Sequence, residues 1–188
     1  MENKEIIKFI FNDNNKINNS DYSWNFIKQI INADAKDYEL DIDNFKDLYI
    51  WNNGTWNSGA WNDGTWYNGI WKDGIWKRGI WNGGTWESGT WKDGTWKSGV
   101  WKGGTWKDGT WNDGIWKSGK WYNGTWNNGI WYNGTWEDGA WWKGYWKSGA
   151  WKDGIWKEGL IYNLKTKKYE KSTIAPNKCK WSLSYGNT

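Results

Sequence analysis

Gly114-Ile-Trp-Lys-Ser-Gly119-Lys120 has the spacing of a phosphate-binding loop, in which backbone N–H groups cradle phosphates and a lysine reaches them. The next residue is Trp121, where such a loop needs a Ser or Thr hydroxyl for magnesium. Glycine recurs at every fifth position here, so the spacing arises from the repeat and carries no signal of its own. The same holds for Asn-x-Thr sequons such as Asn123-Gly124-Thr125. Histidine is absent, which removes the commonest general base and most triads and metal sites. Cys179 is the only cysteine, so it can form neither an internal disulfide nor a zinc site. The acids are single and surface-facing, with no sheltered pair whose pKa values could be pushed apart for acid–base work. These residues predict no catalytic set, no metal and no cofactor.

What the sequence does specify is a repeat. Of the 25 tryptophans in 188 residues, all but three stand at every fifth position from Trp51 to Trp156, and a glycine follows each three residues later, Gly54 to Gly159. A glycine every five residues weakens any helix, and five residues are too few for stacked hairpins. Asn-Gly, Asp-Gly and Ser-Gly are turn signals, so each pentad is a very short strand and a corner, as in a β-solenoid. Side chains alternate along a strand. In Gly104-Thr105-Trp106-Lys107, Gly and Trp share one side, and Thr and Lys the other. The lysine position recurs as Lys72, Lys77, Lys92, Lys97, Lys102 and Lys107. A column of buried, unpaired lysines is prohibitive, so the lysines face water and the indoles face inward.

This register, a small inward residue, an outward one, a large inward one and two at the corner, resembles the pentapeptide-repeat family over residues 51–160. Gly takes the small inward place and Trp the large one. The resemblance implies an all-β, right-handed quadrilateral β-helix with four pentads, or 20 residues, per coil. Glycine is then the compensating change that makes room beside each indole. A 20-residue coil would run for about 5.5 turns over ~26 Å at the spacing of neighbouring strands. It would stack Tyr122, Trp142 and Tyr162 as an outward ladder with Tyr145 on the adjacent face, and would put Asp73, Asp93, Asp113 and Asp153 in one column.

A solenoid needs covered ends. Residues 1–50 are expected to form a small α/β N-terminal cap, with a strand at Ile6–Phe11, one helix at Asp21–Asn32 and an extended entry at Tyr38–Ile50. Residues 51–160 form the array. Residues 161–188 form a short β C-terminal cap, with a hairpin around Leu164–Lys168. Mean hydropathy is −1.03, yet an aromatic content of 21% argues against disorder. The first 50 residues carry a net −4, the array +3 and the tail +5. That balance argues against nucleic acid as a partner. With no secretory signal and no membrane-length apolar run, the expectation is a soluble, non-secreted protein with no membrane contact, in a virion or a host cytoplasm.

Surface departures from the repeat are the candidate contacts. Tyr122, Trp142, Tyr145 and Tyr162 form a candidate partner surface. Lys77, Arg78, Lys97 and Lys117 form a candidate polyanion column, and Ile70, Ile75 and Ile80 place β-branched residues on successive faces. Trp-x-x-Gly-x arrays are also similar to those of structural proteins of large tailed phages. That resemblance implies a non-enzymatic structural or adaptor protein, virion-associated or used in assembly, with a protein partner or self-association. The alternatives are a gyrase-interacting DNA mimic, which would need a more acidic surface, and a glycan-binding module using the aromatic ladder.

Overall fold

A computed structural model describes residues 16–17, 36–43 and 48–179, with side chains from residue 50 onward. The expected strand at 6–11 and the expected helix at 21–32 lie outside the described residues. Among the described residues the chain is all-β apart from one 3-10 turn, Pro176–Lys178. Strand β1 (Lys16–Ile17) pairs in parallel with β2 (Lys36–Asp43), and β2 runs antiparallel to β3 (Leu48–Trp56). The array follows as two-residue strands, one per pentad, from β4 (Ala60–Trp61) to β23 (Ile155–Trp156). It ends in a hairpin of β24 (Gly159–Asn163) and β25 (Lys168–Ser172). Lys167, at φ 56°, is the single non-glycine residue with positive φ among the described residues and sits in that hairpin turn.

The array is a β-solenoid with its indoles inside, but the coil is three-sided. Trp91 lies beside Trp76 on one side and Trp106 on the other, and the same offset of 15 residues holds along the whole array. The expected quadrilateral coil of four pentads is therefore replaced by one of three. About seven coils fit between Trp51 and Trp156 instead of 5.5, giving a rod of ~34 Å at ~4.8 Å per coil. One face carries the column from Trp51 to Trp156, the second that from Trp56 to Trp146 and then Ile161, and the third that from Trp61 to Trp151. The first two join through β3, which spans both, and the third is a separate seven-stranded sheet.

Two features explain the tighter coil. A three-sided coil must turn more sharply at each corner than a four-sided one, and the corner glycines from Gly54 to Gly154 all take positive φ, which permits that turn. Indole packing then closes the section. Successive indoles meet edge to face, with centroids 5.4–6.1 Å apart and planes at 72–83°. Three such contacts carry the chain once around. Down each column the rings are nearly parallel, 5–8° between planes, with centroids 4.7–5.3 Å apart. These are offset stacks on the spacing of the strands themselves. Every array indole from Trp51 to Trp141 is fully buried.

The glycine's expected role also changes. It stands at the corner, and a Cβ on Gly104 would meet the backbone of Gly89 in the coil before it. The space it leaves admits a neighbouring backbone first and an indole second, as at Gly79, where Trp76 Cζ2 would lie 3.2 Å from a Cβ. Coils are linked by two backbone hydrogen bonds per pentad. Thr90 N–H donates to the Gly74 carbonyl at 2.8 Å, and Lys92 N–H to the Trp76 carbonyl at 2.8 Å.

At the far end, the hairpin and the segment after it fold back over the last indoles. Trp156 Nε1 donates to the Ser172 carbonyl at 3.1 Å, and Asn177 Nδ2 to the Lys152 carbonyl at 3.4 Å. Ala175 and Cys179 are buried there.

The coil period has a direct test. Lys77 and Lys92 occupy adjacent rungs of the third face, within the Cα separation a disulfide tolerates. Lys77→Cys with Lys92→Cys is expected to cross-link under mild oxidation, whereas Lys77→Cys with Lys97→Cys is not. Cross-linking of only the second pair would restore the 20-residue coil.

Candidate functional site

The corner residue before most of the glycines is short and polar because it has two jobs there. Asp93 and Asp108 carboxylates accept from the N–H of the following glycine, at 2.6 and 2.7 Å. Ser118 and Ser148 hydroxyls donate to carbonyls one coil back, Lys102 at 2.9 Å and Tyr132 at 2.6 Å. Outward pairs also follow the 15-residue step: Arg78 with Asp63 at 2.7 Å, and Lys102 with Glu87 at 2.9 Å. These pairs are solvent-exposed and each contributes little alone. They fix which outward residues are neighbours.

That step separates the expected aromatic ladder. Tyr122 is on the third face, Trp142 on the first, and Tyr145 and Tyr162 on the second. Tyr122 is enclosed by cations, with Lys107 Nζ 4.1 Å and Lys120 Nζ 4.4 Å from its ring centroid. Lys120 also reaches Glu137 at 3.0 Å, and Lys152 reaches the same carboxylate at 3.1 Å. Hydrogen bonding from Lys120 holds the Tyr122 phenol below its ordinary pKa and, with Lys152, holds Glu137 below the usual carboxylate range. The group is a self-satisfied surface network.

On the second face Tyr145 and Tyr162 meet a residue that the sequence reading missed. Tyr169, on β25, lies 5.3 Å from Tyr145 and 5.2 Å from Tyr162, with planes at 89° and 65°. Burial, followed by the charges of neighbouring phenols including Tyr132, pushes the Tyr169 phenol up. Rings packed edge to face cover one another's sides and do not present the common plane on which a sugar stacks. This cluster ties the closing hairpin to the last coils.

The expected basic column is dispersed as well. Lys77 and Arg78 lie at the third face and its corner, Lys97 on the first and Lys117 on the second, and Arg78 is already paired with Asp63. The four aspartates expected in one column fall at all three corners, with only Asp93 and Asp153 sharing one. Ile70, Ile75 and Ile80 are exposed, one on each face.

Trp142 lines a groove. It is 49% exposed, while every array indole is buried. A groove of about 560 Å³ runs beside it along the first corner, lined by Asn127, Trp142, Lys143, Lys157, Glu158 and Thr173. Lys157 Nζ lies 5.5 Å from the Trp142 centroid, and Glu158 pairs with Lys171 at 3.3 Å. The signal that could have found the groove is in the corner positions. Lys143 and Glu158 replace the short polar residue in two consecutive coils at this one corner.

Among the described residues, no helix is long and apolar enough to cross a membrane. No family model, no curated protein and no solved structure matches the chain.

Proposed function

We propose that the protein is a non-enzymatic structural or adaptor solenoid that works through protein–protein contacts, with a phage virion or its assembly as the setting. The observation that carries this reading is the unbroken indole core. Stacked columns and two inter-coil hydrogen bonds per pentad produce a rod whose length is set by its number of coils. Such a rod suits holding partners at a fixed separation, because each coil contacts only its neighbours and the surface can vary without disturbing the core. The repeat arrays of structural phage proteins support the setting by resemblance.

Mass photometry and size-exclusion chromatography of the purified chain, alone and mixed with candidate virion proteins, test the reading. A complex of fixed stoichiometry with one of them is expected. A chain that stays monomeric in every mixture and never co-purifies with particles would overturn it.

A further inference from the structure

The groove at the first corner is where the repeat's local rule fails most densely. In the coils before it, the position after the inward Trp on this face is Asn112 and then Asn127, and the corner residue is Asp113 and then Asn128. In the next two coils these become Trp142 with Lys143, and Lys157, a residue common at that position, with Glu158. Nothing in the core requires the change, since Trp141 is fully buried and stacks on Trp126 at 4.8 Å like any other rung. Local rules broken without a structural gain mark functional positions.

The lining also has a definite charge and shape. Glu158 is engaged by Lys171. Among the described residues, no carboxylate lies within ion-pair distance of Lys143 or Lys157, so the groove presents two uncompensated cations beside one exposed indole. Asn127, Trp142 and Lys157 line the groove from successive coils, with Thr173 of the closing segment beside them, so it follows the rod axis. Asn127 donates its amide to Asn112 at 3.0 Å, leaving its carbonyl oxygen as an acceptor at the groove. A cation already stands over the Trp142 ring, so a sugar stacking on that face would have to displace Lys157. An acidic chain would instead pair with it.

We infer that this groove takes an extended acidic segment of a partner protein, with carboxylates on Lys143 and Lys157 and an apolar side chain against the part of the Trp142 ring that Lys157 leaves exposed. The inference rests on the adaptor reading and names its docking site. Tryptophan is among the residues enriched at interaction hot spots, and docking would take the exposed half of this ring out of water.

The probe is a fluorescein-labelled random copolymer of glutamate and tyrosine, read by fluorescence anisotropy, with labelled polyglutamate and polygalacturonate in parallel. The variants Trp142→Asn, Lys143→Asn and Lys157→Asn each restore a residue that this face uses in earlier coils, so unchanged melting temperatures serve as the fold control. The copolymer is expected to bind, to weaken with added salt and to lose about tenfold or more in affinity in Trp142→Asn. No binding of the copolymer, equal binding by Trp142→Asn, or tighter binding of polygalacturonate than of the copolymer would overturn the proposal. A virion-protein complex that survives Trp142→Asn would also remove the groove from its contacts while leaving the adaptor reading in place.

Discussion

Gly104→Ala is expected to destabilise the protein by roughly 3 kcal/mol or more, while Gly103→Ala beside it is expected to be neutral or stabilising by up to ~1 kcal/mol. The two glycines are adjacent in sequence and differ in what the coil asks of them. Gly104 is the corner, at φ 108°, and its Cβ would lie 2.9 Å from Gly89 N and closer still to the Gly89 carbonyl oxygen. Neither atom can retreat, because Gly89 is itself held in the coil behind by the Thr105 N–H at 2.9 Å. The substitution therefore adds backbone strain to a contact that only a shift of a whole rung can relieve. Gly103 occupies the variable corner position before it, outside the positive-φ range. Its Cβ would meet nothing closer than Ser118 Oγ at 3.6 Å, an ordinary contact. Alanine there removes freedom from the unfolded chain at no native cost. Urea melts of the two variants measure the difference. Equal effects would mean that the corner's positive φ and the glycine-on-glycine stacking do not set the coil.

The inward direction of the indoles was legible in the sequence because it follows from one local alternation: Lys107 must face water, so Trp106 must face away. The number of sides was not legible from that alternation, since a five-residue period closes equally well after three or four pentads. Aromatic spacing pointed the wrong way. Tyr122, Trp142 and Tyr162 align at 20 residues, yet each is held by different neighbours on a different rung. The informative signal lay at the corners. Taken every third pentad, Asp63, Asp93, Asp108, Asp138 and Asp153 share one corner, and Ser58, Ser88, Ser118 and Ser148 share another. At that step Arg78, the one basic residue at the third corner, falls between Asp63 and Asp93 and pairs with the first. Short polar residues differ in how they satisfy a corner, by accepting from the next glycine or by donating one coil back, and that difference sorts them by face. The Trp142 groove was half legible. Trp142 stood out as an exposed indole, but its partners Lys157 and Thr173 become neighbours only once the 15-residue step is known.

That step also sets the size of the second large effect. Trp106→Ala is expected to cost roughly 3–5 kcal/mol, and Lys107→Ala close to nothing. Trp106 is fully buried, stacked between Trp91 at 4.8 Å and Trp121 at 4.7 Å, with Trp101 and Trp111 edge-on at 6.0 Å each. Truncation removes one indole from four ring contacts at once. The neighbours cannot collapse into the void, because each is fixed by its own strand at the spacing of the coils. The position matters as much as the contacts. In a solenoid, stability passes from coil to coil, so a defect at Trp106 interrupts the third column midway and uncouples the coils on either side. Trp156→Ala, at the last rung with one stacked neighbour, Trp141, instead of two, is expected to cost less than Trp106→Ala and to leave the transition cooperative. Denaturant melts followed by far-ultraviolet circular dichroism distinguish the cases. A broadened or two-step transition is expected for Trp106→Ala alone. A loss no larger than that of Lys107→Ala would mean that the indole column does not hold the coils together.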